Sequence, residues 1–198
     1  YDRYLSIQKC MIEQLQVAYR KYEIFELMGQ WSKAMEVIHE ARELAIAESH
    51  KVGQAYTTLY LGQCLTLTGD YEDAGHELDQ ALNLFRQLDL NQGEIQCMDA
   101  LGNLFFRQSK YKRASTYFEY ALKNKSSSEI NLTTVGRLGL TYMNLGQHRE
   151  GIQLIEKHLK NDDIGRLHEC ALSVNLGIIQ FDYGDFSGAE YSFHNGLH

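Results

Sequence analysis

The chain has 198 residues, 44% of them hydrophobic with tyrosine counted and 23% charged, the balance of a folded globular protein. It contains no proline, which excludes polyproline and collagen-like structure and favours uninterrupted helices. Its 19 basic and 26 acidic residues leave a net charge of −7, the wrong sign for nonspecific attraction to nucleic acid or an anionic membrane.

Caps and turn residues predict ten helices, at about 3–28, 31–48, 52–68, 71–88, 93–108, 111–124, 129–145, 148–160, 164–183 and 186–197. Asn91-Gln92-Gly93-Glu94 and Ser126-Ser127-Ser128-Glu129 have the spacing of capping boxes, and Asp70 and Asp185 stand where they can cap the helices that follow them. The longest uncharged stretch, Val52–Gly69, is interrupted by six Gln and Thr residues and is no membrane span. No charged, apolar leader opens the chain, and residue 1 is Tyr, which reads as a cytoplasmic piece of a longer protein. No polar capping helix follows the last helix, so either the protein continues or that end docks on another surface, self-association included.

The chain repeats itself. A small turn residue recurs at Gly29, Gly69, Ser109, Gly146 and Gly184, spaced 40, 40, 37 and 38 apart. Two positions after each come Trp31, Tyr71, Tyr111, His148 and Phe186, and three further on Ala34, Ala74, Ala114, Gly151 and Ala189. A Leu-Gly pair precedes every turn but the first, at Leu61-Gly62, Leu101-Gly102, Leu138-Gly139 and Leu176-Gly177. Phe118 and Phe193 share a second aromatic column, and Ala81-Leu82, Ala121-Leu122 and Gly196-Leu197 a small-then-Leu one.

These columns resemble the tetratricopeptide repeat family, in a long-repeat variety similar to G-protein-signalling modulators and bacterial peptide-sensing regulators. The resemblance implies an all-α, right-handed superhelical solenoid of about five helix-turn-helix repeats, at about 15–50, 55–90, 95–127, 132–163 and 170–198. One array then occupies 1–198. The departures are Lys21-Tyr22 for Leu-Gly, His148 and His158 in packing columns, and no unit ending in Pro.

Chemistry-bearing motifs are missing: there is no phosphate loop, dinucleotide fingerprint, nucleophile elbow or zinc-protease helix. Eight scattered histidines read as packing or surface groups, so neither metal, cofactor nor catalysis is expected. Cys10, Cys64, Cys97 and Cys170 lie at least 33 apart without a C-x-x-C and read as reduced, buried small hydrophobes. Asn124-Lys125-Ser126 and Asn131-Leu132-Thr133 match the glycosylation triplet, a match common by chance. An acidic run from Asp70 to Asp79 and a basic run from Arg107 to Lys125 read as complementary helix faces in preference to a nucleic-acid patch.

The resemblance also implies that the first helices of the repeats line a groove for a peptide or helix. Counted back from the turns, its face includes Tyr19, Glu23 and Glu26, then Tyr56, Leu59, Gln63 and Thr66, then Gln96 and Asp99. The site expected to bind the partner is Asn103, Phe106, Arg107, Arg137, Leu140, Met143, Asn144, Asn175, Ile178 and Phe181. No window of three repeats carries the family's carboxylate clamp, which argues against an adaptor for chaperone tails. The expected function is a noncatalytic interaction scaffold for a protein or peptide segment, amphipathic with a basic end. The alternative is a ligand- or peptide-sensing module controlling an attached effector domain. The apolar groove residues either contact a partner or pack on further repeats.

Overall fold

The computed structural model describes residues 2–124, 132–160 and 164–197, with side chains from residue 13 onward. Among them are ten α-helices and no strand: α1 (Asp2–Leu27), α2 (Trp31–Ala47), α3 (Lys51–Thr68), α4 (Tyr71–Gln87), α5 (Asn91–Arg107), α6 (Tyr111–Lys123), α7 (Leu132–Asn144), α8 (His148–Leu159), α9 (Arg166–Tyr183) and α10 (Phe186–Leu197). All ten predicted helices are present. The predicted start of the seventh helix, its capping box at Ser126–Glu129 and the triplet positions Ser126 and Asn131 lie outside the described residues, as does the side chain of Cys10.

The five turn positions share one backbone conformation. Gly29, Gly69, Ser109, Gly146 and Gly184 all have positive φ, from 58° at Ser109 to 96° at Gly69. A left-handed residue stops the first helix and redirects the chain into the second, which is why the sequence keeps glycine at four of the five. At Ser109 the hydroxyl receives a 3.4 Å hydrogen bond from Tyr111 Oη.

The caps divide. Asp185 does cap α10, its Oδ1 accepting from Gly188 N at 3.0 Å. Asp70 occupies the N-cap of α4 but makes no side-chain cap bond, because its carboxylate takes the Thr68 hydroxyl at 2.9 Å instead. The capping box expected at Asn91–Glu94 is corrected as well: α5 already begins at Asn91, and Glu94 accepts from Arg86 at 3.0 Å.

Contact density divides the chain into two compact units, Tyr1–Ala100 and Leu101–His198, with the boundary inside α5. In the first unit Tyr22, Ala34, Ile38, Leu61 and Cys64 form one buried cluster, and Leu15, Ala41 and Ala45 another. Arg42 joins α2 to α4 through both oxygens of Glu77, at 3.0 and 3.2 Å. In the second unit Val135, Ile155, Leu172, Leu176 and Ile179 form the centre.

The repeated glycine before each turn has a packing cause. A Cβ on Gly62 would stand 2.7 Å from Leu78, one on Gly102 2.6 Å from Phe118, one on Gly139 2.7 Å from Ile155 and one on Gly177 2.7 Å from Phe193. Each second helix therefore drives one large side chain into a notch that only glycine leaves open. In the first repeat the notch position is filled by Tyr22, which is itself buried and shares one cluster with Ile38.

Candidate functional site

In the second unit the predicted groove residues separate into three groups. Asn103, Arg137 and Asn175 are half-buried, and Arg107, Asn144 and Ile178 are exposed. They stand two, six or nine positions before their turns, on one side of α5, α7 and α9. The Asn175 side chain occupies the space that a Gly136 side chain would take, so a glycine in α7 positions an amide carried by α9. Arg137 is held by a partner, and Asn144 Nδ2 donates to Leu140 O at 2.8 Å.

Leu140 and Met143 form a second group. Both are partly buried and pack against the Val135, Ile155, Leu172, Leu176 and Ile179 cluster. The third group, Phe106 and Phe181, stands three positions before its turn and meets the aromatic two positions after it. Phe106 and Tyr111 are edge-to-face at 5.7 Å between centroids, and Phe181 and Phe186 at 5.4 Å. These pairs clasp the helix-turn-helix junction.

In the first unit Leu59 and Thr66 are fully buried, so these two do not line an open face as expected. What the helices do assemble there is a tyrosine cluster. Tyr60 lies 5.3 Å from Tyr19, 4.7 Å from Tyr22 and 6.3 Å from Tyr56, centroid to centroid. Burial, then Tyr56, then Glu23 and Glu26 push the Tyr60 phenol up to about 12. The signal for Tyr60 is its place four residues after Tyr56, on one face of α3.

His148 and its neighbour also have defined roles. His148 Nε2 lies 2.7 Å from Asp182 Oδ2, and Arg149 Nε donates to Tyr183 Oη at 3.1 Å, so the first turn of α8 is tied to the last turn of α9. Burial pushes the Cys64 and Cys97 thiols up to about 12, the opposite of a reactive thiolate. Among the described residues no group of three or more His, Cys, Asp and Glu could hold a metal ion. No described helix is long and apolar enough to cross a membrane.

Paired helices with a left-handed turn, a glycine notch and an aromatic clasp define a helix-turn-helix repeat protein. The chain belongs to the tetratricopeptide repeat family: family models described as tetratricopeptide repeats match residues 54–127 and 133–163, just over half of it. No curated protein sequence matches the chain. Among solved structures it is similar to the TPR-like repeats of a candidate kinesin light chain from Podosopora anserina, with TM-score 0.69 and 13% identity over 94% of this chain and 93% of that one. It is also similar to BtubC from P. vanneervenii, with TM-score 0.69 and 17% identity over 98% and 87%. NprR in complex with its cognate peptide NprX matches with TM-score 0.74 and 14% identity over 94% of this chain and 56% of that one. At these identities the shared property is the fold.

Proposed function

We propose that the chain is a noncatalytic protein-interaction module whose second unit holds a peptide segment of a partner on the first-helix faces of α5, α7 and α9. The observation that carries this reading is the stripe of amides and guanidinium groups at Asn103, Arg107, Arg137, Asn144 and Asn175, interrupted by Ile178. Amides and guanidinium groups in file can meet successive backbone carbonyls of an extended segment, while Ile178 and the exposed edge of Leu140 take one apolar side chain. Met143 serves the packing of the repeats, and Phe106 and Phe181 the aromatic pairs at the turns. The similarity to NprR, whose structure holds a peptide, supports a peptide as the occupant.

The first unit offers a different surface, the exposed Glu23 beside half-buried Tyr19, Tyr56 and Tyr60. Carboxylate next to aromatic faces suits a lysine or arginine, so a basic stretch of the partner is the expected ligand there.

The test is affinity capture of partners with the wild-type chain, followed by titration of the mapped segment as a peptide. Asn175→Ala with Ile178→Glu should weaken that peptide at least about tenfold, the loss of one or two well-made contacts. Equal affinity in wild type and in a variant of unchanged helicity and melting would sink the assignment.

A further inference from the structure

Five repeats on one pattern allow each position to be compared with its own equivalents. Four positions before the turn stand Phe25, Leu65, Phe105, Tyr142 and Gln180, and eight after it Val37, Glu77, Tyr117, Leu154 and Ser192. In the third repeat these two positions hold stacked rings, Phe105 and Tyr117 at 5.3 Å between centroids. In the fourth, Tyr142 reaches back to the preceding second helix and its Oη donates to Glu119 Oε1 at 3.2 Å. The fifth repeat has an amide in the first column and the shortest side chain of the five in the second. Ser192 Oγ donates to Gln180 Oε1 at 2.7 Å, and both residues are buried.

Beside that short pair lies a cleft of about 490 Å³, with α8 on one side, α10 on the other and α9 as its floor. Ser173, Gln180 and Ser192 line it at 4%, 8% and 4% exposure, so its base carries two hydroxyls and an amide. Leu159 and Leu176 supply apolar wall. The volume lies in the range of sites that hold small ligands or single side chains with their main chain.

The fourth repeat shows what such a cleft accepts. Glu119 and Glu156 hold equivalent positions, ten after the third and fourth turns, so the carboxylate recurs where the phenol does not. Glu156 is half-buried on the cleft wall, and among the described residues it bonds to no other side chain. Its counterpart Gln180 has turned its amide oxygen to Ser192 instead. At the exposed rim Glu169 and Lys160 offset one another in charge, beside Tyr191 and Asn195. A neutral ring with a hydrogen-bond donor therefore suits the cleft: the ring over the Gln180–Ser192 pair and against Leu176, the donor on Glu156.

We propose that this cleft binds a tyrosine side chain of a partner polypeptide, its phenol donating to Glu156 as Tyr142 does to Glu119. The cleft far exceeds one ring, and the Asn195 amide at its rim meets the main chain on either side of the tyrosine. The site is separate from the peptide groove. Ser173 and Gln180 stand two positions from Asn175 and Ile178, about 200° around α9, and no residue belongs to both sites.

Titration of the full chain with acetyl-Gly-Tyr-Gly-amide, followed by nuclear magnetic resonance of the backbone amides, tests this. Saturable shifts should centre on Ser173, Gln180 and Ser192, and the matching phenylalanine peptide should bind about tenfold more weakly. Glu156→Ala should bring the two peptides to equal affinity. Gln180→Tyr with Ser192→Leu copies the fourth repeat into the fifth, fills the cleft from within and should weaken the tyrosine peptide at least about tenfold. Circular dichroism checks that this variant is folded, and Glu156→Ala decides the matter if it is not. The groove variant Asn175→Ala with Ile178→Glu should bind the tyrosine peptide as wild type does, which keeps the two sites distinguishable. Absence of a saturable shift overturns the proposal, as do shifts centred on Asn175 and Ile178 or equal binding of the phenylalanine peptide by wild type. A lysine peptide that binds as tightly would make the cleft a cation site, and p-cresol that binds as tightly a site for free phenols; either result overturns it too.

Discussion

Gly102→Ala probes the notch on which the repeat depends. The added methyl carbon would lie 2.6 Å from both Cδ1 and Cε1 of Phe118, a fully buried ring. Ordinary carbon contacts begin near 3.5 Å, so the ring or the helix must give by nearly an ångström in a close-packed interior. Overpacking of this kind costs about 1–3 kcal/mol, which for a chain of this size lowers Tm by about 2–12 °C. Thermal unfolding followed by far-ultraviolet circular dichroism reads it directly. Phe118→Ala alone should cost about 3–5 kcal/mol by leaving a cavity. In the double variant the new methyl finds part of that cavity, so the combined cost should fall at least about 1 kcal/mol short of the sum. A Tm change under about 1 °C for Gly102→Ala, or strict additivity, would show that the contact is not what fixes glycine there.

Ser109 holds φ at 58° without being glycine, so Ser109→Gly should leave stability level or raise it by up to about 1 kcal/mol, a gain in urea midpoint without change in slope. Asp185→Ala should cost about 1 kcal/mol and Asp70→Ala less than half of that, since only Asp185 bonds to a helix N–H; equal costs would contradict the cap geometry. The Cys64 and Cys97 thiols are raised from 9.0 to about 12, so the folded state holds their protons more tightly than the unfolded state does. Their contribution is complete below pH 9 and is lost as pH rises toward about 12. Stability should therefore decline across that window, less steeply in Cys64→Ala with Cys97→Ala, and neither thiol should react with a disulfide reagent at pH 8 until the chain is unfolded.

The repeat was legible because its columns answer to steric demands that sequence records directly. A left-handed turn selects glycine, and a notch facing Leu78, Phe118, Ile155 or Phe193 selects glycine again. Asp185 as a cap was equally readable, since one side chain and a nearby N–H suffice. Asp70 was not, because Thr68 competes for its carboxylate across the turn. Asn91–Glu94 was less readable, because α5 begins at Asn91 itself, with Leu90 O taking the Glu94 N–H, and Arg86 of the preceding helix also bonds the glutamate. Local spacing shows what a residue can do, and tertiary neighbours decide which of its options is taken.

The groove shows how periodicity alone misleads. Arg137, Leu140 and Met143, like Asn175, Ile178 and Phe181, follow one another at intervals of three. Three residues turn an α-helix through about 300°, so each step falls back by about 60°, and two steps carry the side chain about 120° from where it started. Arg137 and Asn175 therefore face the groove, Leu140 and Ile178 sit on its edge, and Met143 has rotated onto the core cluster while Phe181 has rotated toward Phe186. This separates two substitutions that sequence would treat alike. Met143→Glu places a carboxylate beside Val135, Ile155 and Leu176 and should cost about 1–3 kcal/mol of stability. Ile178→Glu, on a side chain 38% exposed, should stay within about 0.5 kcal/mol of wild type in urea unfolding while losing the partner peptide. If Met143→Glu unfolds at the wild-type midpoint, the rotation argument is wrong and the methionine belongs to the open groove after all.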